Sequence, residues 1–360
     1  MAKQLAAALA LLSGAAAAAA GRKPHLIYVI GDDVGWYKMV RCSRLRLSRS
    51  GSELAAAQGW HNPDARTPNL DGLVKEGVEL DRFYTFKYCS PTRSSFLSGR
   101  LPIHNTQINI GGGVHFVQME GAVDSGGKPL EFFSGVDYRM NILPKKLKAG
   151  GYESYAIGKW HGGDASVHLT PKARGFDHHF GFLSGGQDHN TQEEGCAATK
   201  NGAYIPGAIE SCVDLWRDNG PAYGENGTYS AFLYTHEALR NIASHNVNTP
   251  MFMYLAYQNM HCPLQVPTSY EIPSIENEHL RLEDAMAHAL DEGIGNVTSL
   301  LKSRGMWDDT ILFFSVRPSS PASPPAALSP PLMRKPFAAG GQRRACARPS
   351  WRLPGAVQLQ

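Results

Sequence analysis

The sequence predicts an α/β fold in which a largely parallel sheet carries helices on both faces. Three observations support this. Short apolar runs at 25–30, 251–257 and 310–314 read as buried strands. Amphipathic helical stretches separate them, as in βαβ units. The residues able to do chemistry cluster just past the ends of those runs, where open α/β sheets bind ligands. A chain of 360 residues with 42% hydrophobic content is long enough to bury a sizeable core.

The elements follow in order. Lys3, an apolar core and the small residues at 18–20 read as a secretory signal over 1–20, with an alanine-rich helix as the plainer alternative. The run 25–30 ends at Gly31-Asp32-Asp33, the pattern of a parallel strand opening onto a loop. Thr67 is expected to cap a helix that starts at Pro68 and stops at Gly77. Residues 79–86 read as a second strand, and Ser90 as the cap of a helix running to Ser98 and ended by Gly99. A short helix at 143–149 closes on Gly150-Gly151 and feeds a strand at 152–157. A helix at 231–243, a strand introduced by Pro250, a long amphipathic helix at 282–301 and a strand at 310–314 complete the alternation.

Two segments break this rhythm. Residues 38–58 carry five Lys/Arg against one acid, and residues 316–360 carry seven against none, with nine of the 23 prolines. The tail cannot bury enough apolar area to offset chain ordering, so disorder is expected there, with a proline-rich interaction role as the functional alternative. Setting both segments aside turns the formal charge of +3 into −8, which argues against nucleic acid as a partner. Beyond the signal no stretch approaches the length needed to span a bilayer, so no membrane span is expected. Sequons at Asn226 and Asn296, and a possible pairing of Cys196 with Cys212 across a Gly/Asn-rich loop, fit an oxidising, secreted or lumenal compartment.

The chemistry begins at Asp32-Asp33. Adjacent carboxylates at a strand end can hold a hard cation, although aspartates there often only turn the chain. Cys89-Ser90-Pro91-Thr92-Arg93 places a cysteine at a helix start, four residues before an arginine, in an electropositive setting. Gly158-Lys159-Trp160-His161 and Asn259-Met260-His261-Cys262-Pro263-Leu264 each follow an expected strand. Read singly, these are an exposed lysine and satisfied loop histidines.

Together and in this order, the segments resemble the type I sulfatases. The Cys-X-Pro-X-Arg pattern at 89–93 is similar to that family's signature, and His261 to Pro267 is spelled most like arylsulfatase B-like members. The resemblance implies an alkaline-phosphatase-like α/β sandwich over 24–315 with a mixed, largely parallel sheet. It also implies that a formylglycine-generating enzyme converts Cys89 to formylglycine, whose hydrate supplies the nucleophile. Arg93 would hold that hydrate, His161 would orient it and take its proton, and Lys159 and His261 would contact sulfate, with His261 or a lysine protonating the leaving alcohol. One Ca²⁺ would be held by Asp32, Asp33 and the group derived from Cys89.

The expected activity is sulfuric ester hydrolysis of an aryl sulfate or a sulfated sugar, somewhere in the secretory route, with a lysosomal or vacuolar destination open. A phosphatase of the same superfold is disfavoured by Cys89 itself. One departure supports an alternative, a catalytically impaired homologue or a binder of sulfated ligands. The resemblance implies an Asp-Asn-Gly-Gly turn after Ser315, where the chain reads Val316-Arg317-Pro318, and 316–360 contains no Asp or Glu. The family's small C-terminal subdomain is accordingly expected to be missing. The tail and the atypical insertion at 38–58 are expected to reflect a frame change or unspliced sequence.

Overall fold

A computed structural model describes residues 22–34, 66–80, 83, 86, 88–105, 116–123, 129–133, 135–137, 139–164, 166–200 and 203–316. The expected signal peptide, the 38–58 insertion and the tail beyond Val316 lie outside the described residues.

In chain order the elements are β1 (His25–Gly31), α1 (Pro68–Glu76), α2 (Cys89–Ser98), α3 (Pro102–Asn105), β2 (Phe116–Val123) and β3 (Pro129–Phe133). Then come α4 (Leu143–Ala149), β4 (Glu153–Gly158), β5 (His178–Gly181), β6 (Glu193–Lys200), β7 (Ala203–Val213), β8 (Trp216–Arg217) and β9 (Gly220–Pro221). The last are α5 (Ser230–Ser244), β10 (Met251–Ala256), α6 (Glu278–Ser303) and β11 (Thr310–Val316). Seven strands form one sheet in the order β11-β1-β10-β4-β5-β8-β9. It is parallel from β11 to β5 and antiparallel from β5 through β8 to β9, so it is mixed and largely parallel, as the sequence predicts. Two further hairpins, β2-β3 and β6-β7, stand outside it.

Strand side chains alternate between faces, and the alternation divides the core in two. Ile27, Val29, Met253, Leu255, Tyr155 and Ile157 face α1, α5 and α6. Tyr28, Ile30, Phe252, Tyr254 and Ala156 face the opposite side, where α2 and α4 pack. The central strands are buried on both faces, which is why they read as unbroken apolar runs.

Several local expectations need correction. Of the strand expected at 79–86, the described members Glu79, Leu80, Phe83 and Phe86 have no regular structure and are exposed. The helix of the Cys-X-Pro-X-Arg segment starts at Cys89, with Tyr88 rather than Ser90 at the cap position; Gly99 does end it, in the left-handed region. Thr67 sits at the cap position of α1 without a capping bond from its side chain. The carboxylate of Asp291 on α6 performs that task, accepting from the backbone N–H of Leu70 at 2.8 Å and of Asn69 at 3.1 Å. Cys196 and Cys212 lie on the paired strands β6 and β7, not in a loop. Cys212 is disulfide-bonded, whereas the side chain of Cys196 lies outside what is described.

Candidate active site

Strands β1, β10 and β4 are neighbours in the sheet, so their carboxyl ends bring three loops together. Asp32 and Asp33 leave β1, Lys159 and His161 leave β4, and His261 leaves β10. Helix α2 aims its first turn, with Cys89 and Arg93, at the same place. The backbone fixes the meeting point. Asp32 N–H donates to the Asn259 carbonyl at 2.8 Å, and Met260 N–H to the Asp32 carbonyl at 2.5 Å. Lys159 N–H donates to the Ala256 carbonyl at 2.8 Å. The chain turns out of β4 at Gly158, whose φ is +89° and where a Cβ would lie 2.0 Å from the Ala256 carbonyl oxygen; a side chain there is excluded.

Asp32 is the electrostatic centre. It is fully buried, as are Lys159 and Arg93. Lys159 Nζ lies 2.5 Å from Asp32 Oδ2, and Arg93 Nη2 lies 3.2 Å from Oδ1. Arg93 Nη1 also donates to the Lys159 carbonyl at 3.0 Å and to the Tyr254 hydroxyl at 3.1 Å. Two buried cations thus converge on one buried carboxylate, and a buried charge of either sign needs close compensation. Arg93 Nη2 meets Asp32 as an ion pair, whereas Nε has no hydrogen-bond acceptor, which leaves donor capacity for an anionic group.

Cys89 is buried and free of any disulfide. Its thiol is pushed up in pKa by burial first and by Asp32 second, against the opposing pull of Lys159 and Arg93. The electropositive setting expected from the sequence is therefore outweighed, and the thiol is held protonated. His161 is held well below the usual imidazole range by burial and by the Lys159 and Arg93 charges. Its Nδ1 is buried without a partner, so the neutral ring can accept a proton. His261 is likewise lowered, chiefly by burial and then by Lys159. Its Nδ1 lies 2.7 Å from the Cys262 carbonyl. A carbonyl only accepts, so Nδ1 carries the hydrogen and Nε2 keeps its lone pair. In this form His261 does not donate a proton from Nε2 to a leaving group, contrary to the acid role considered for it.

The structure brings all seven expected residues into this cluster. Ligand atoms of Asp32, Cys89 and His261 lie within 4.8 Å of one another, and Asp33 Oδ2 lies 3.6 Å from His261 Nε2. Calcium requires six to eight oxygen ligands. Among the described residues here the oxygen donors are Asp32, already shared by two cations, and Asp33; the others offer nitrogen and sulfur. The described donor set does not fit Ca²⁺.

Sequence reasoning does not single out the loop after β5, yet it frames the cluster. A Cβ on Gly185 would lie 2.9 Å from His161 Cε1, and one on Gly186 would lie 3.1 Å from His261 Cε1. Buried His189 reaches the His261 carbonyl through Nε2 at 3.1 Å and Ser230 Oγ through Nδ1 at 2.8 Å. A Gly-Gly pair set off from the end of β5 by three residues is the signal that marks this loop.

Comparison with known proteins completes the description. A family model described as Sulfatase matches residues 24–315. Arylsulfatase J of Mus musculus is 33% identical over 296 residues, covering 81% of this chain and 42% of that protein. N-acetylgalactosamine-6-sulfatase of Mus musculus is 29% identical, covering 84% of this chain and 51% of that protein. The chain thus spans about half the length of these curated relatives. Among solved structures, the PsFucS1 sulfatase from Pseudoalteromonas sp. superposes with a TM-score of 0.55 at 22% identity, covering 85% of this chain and 57% of the other. A likeness at that identity shows the fold.

Proposed function

The chain belongs to the sulfatase family, and from that premise we propose that it is a sulfuric ester hydrolase acting on an aryl sulfate or a sulfated sugar. The observation that carries this reading is the pair of fully buried cations, Lys159 and Arg93, meeting one carboxylate beside Cys89. Such a cluster suits a group that carries negative charge through its transition state.

We assign roles on geometry. Cys89, converted to formylglycine, would supply the hydrated aldehyde oxygen as nucleophile. Arg93 anchors Asp32 and the end of β4 through its two Nη groups while its Nε–H would hold that oxygen. Lys159 leaves Asp32 far enough to pair with a sulfate oxygen, and its ammonium is then the group placed to protonate the departing alcohol. Neutral His161 takes the proton whose loss expels sulfate. His261 orients the sulfate through a ring whose position is set by Cys262, Gly186 and His189. The family generally uses a metal ion; the Ca²⁺ expected at Asp32 and Asp33 would need further oxygen ligands, so no step is drawn through it. A secretory or lumenal location, where a formylglycine-generating enzyme is met, fits the signal-like leader and the exposed Asn226 and Asn296.

The test is hydrolysis of 4-nitrocatechol sulfate by chain carrying the aldehyde. A site short of one or more transition-state contacts loses on the order of 10²–10³-fold for each, so slow turnover is expected, abolished in Cys89→Ala and Lys159→Ala. Turnover that survives Cys89→Ala would sink the reading. The shortage of oxygen donors specifically favours a second one, a binder of sulfated ligands. Calorimetry showing saturable binding of the sulfate ester without any turnover would support it.

A further inference from the structure

We propose that the unconverted chain, with Cys89 still a thiol, holds one zinc-class transition-metal ion on Cys89 Sγ, His261 Nε2 and a carboxylate oxygen of Asp32. Three observations carry this. First, the ligand atoms of these residues lie within 4.8 Å of one another. Tetrahedral zinc with bonds of 2.0–2.3 Å sets its ligand atoms about 3.5 Å apart, so closure needs inward movement of about one ångström. Second, the donor set is one sulfur, one imidazole nitrogen and one carboxylate, which suits zinc or cobalt and not calcium. Third, His261 is already arranged as a ligand. Its Nδ1–H donates to the Cys262 carbonyl at 2.7 Å, the outer hydrogen bond that fixes a metal-binding imidazole with its Nε2 lone pair free. Gly186 packs at the ring and His189 holds the His261 carbonyl. Asp33 Oδ2, 3.6 Å from His261 Nε2, or water takes the fourth position.

Binding exchanges one cation for another. Lys159 Nζ now lies 2.5 Å from Asp32 Oδ2, so the metal must displace an ammonium group. The thiol gives up its proton as the sulfur–metal bond forms, so one proton is released per ion bound. Nothing is oxidised or reduced. Conversion of Cys89 to an aldehyde removes the only sulfur donor of the set; the consequence that conversion turns a soft-metal site into a hard one rests on the hydrolytic reading, whereas the thiol site does not.

The experiment uses Co²⁺ as a visible probe, with the full reduced chain produced without formylglycine-generating enzyme. Expected are saturation at one equivalent, a thiolate-to-cobalt charge-transfer band, intense four-coordinate absorption, and loss of both on adding Zn²⁺. Cys89→Ser should lose the charge-transfer band, His261→Ala should weaken binding by at least about tenfold, and Lys159→Met should strengthen it. Absence of the band from the parent chain, or its persistence in Cys89→Ser, overturns the proposal. Should Cys89→Ser fail to fold, alkylation of the parent decides: Zn²⁺ must slow labelling of Cys89 and leave exposed Cys262 unaffected, and equal labelling overturns the site. A chain that shows the band but hydrolyses nothing after conversion leaves this site standing and defeats the hydrolytic reading. A chain that hydrolyses sulfate esters after conversion yet shows no band as the thiol defeats this proposal alone.

Discussion

Two adjacent glycines set the positions of two histidines. Gly185 lies where a Cβ would press to 2.9 Å from the His161 ring, closer than real Cβ contacts come, and Gly186 allows 3.1 Å to His261. Gly185→Ala should therefore displace His161 while leaving the cores untouched. A shift of about one ångström in a reacting group costs on the order of 10²-fold in rate. We expect turnover by the aldehyde-bearing chain to fall by about that factor with the thermal midpoint nearly unchanged. Unaltered turnover in a folded Gly185→Ala variant would show that His161 takes no part. The side chains of Asp32, Cys89, Arg93, Lys159 and His261 were legible because each stands in a short, ordered motif. Gly185, Gly186 and His189 were not, because their importance lies in contacts across loops that sequence spacing does not encode.

Among the elements, α1 shows how far local reasoning reaches. Pro68 and Gly77 mark its ends correctly, since both act through their own backbone. The cap does not come from Thr67, because a buried carboxylate 220-odd residues away serves instead: Asp291 accepts two backbone N–H groups and the Asn69 side-chain amide at 2.8 Å. Burial raises the Asp291 pKa in spite of those bonds, so desolvation offsets part of their worth. Asp291→Ala should still cost about 2 kcal/mol by leaving buried donors unpaired, with Asp291→Asn milder. Urea denaturation measures it, and a loss below about 0.5 kcal/mol would mean that water or another group replaces the cap. Strands β1 and β10 were legible because central parallel strands are apolar on both faces, and β11, at the end of the sheet, because Ile311–Phe314 is a short unbroken apolar run. The 79–86 segment misled because its described apolar residues, Leu80, Phe83 and Phe86, are exposed and join no ladder, and β6-β7 were hidden because β6 opens on two glutamates and Pro206-Gly207 interrupts the apolar residues of β7.

At the scale of the whole molecule, the fold also bears on pH. His179 is buried, and burial lowers its pKa to about 4 against the partial opposition of Asp218; His25 is shifted the same way, first by burial and then by His245. The folded state therefore binds these protons less readily than the unfolded chain. Stability should be intact above about pH 6.5 and decline as pH falls toward about 4. His179 alone accounts for a loss of about 3 kcal/mol across that window. Denaturation between pH 7.5 and 4.5 should show the decline, and His179→Gln should flatten it; identical slopes for parent and variant would count against the assignment. An acidic destination such as a lysosome would thus work against this fold, and among the described residues no helix is long and apolar enough to cross a membrane. The sheet and the gathering of the site at its carboxyl edge were legible in the alternation of strands and helices. The metal chemistry was not, because a list of candidate ligands does not show that Lys159 and Arg93 already share Asp32.

The central claim is that Cys89 is a site of conversion and not a buried structural cysteine. With Cys89 only 7% exposed, that claim calls for conversion before folding, so the test co-produces the chain with formylglycine-generating enzyme in a secretory lumen. Mass spectrometry of the peptide spanning residues 88–93 then gives the most direct answer. The account predicts the aldehyde or its hydrate at Cys89, with loss of the modification when Arg93 or Pro91 is replaced. An unmodified thiol at Cys89, in chain made with ample generating enzyme, would contradict it.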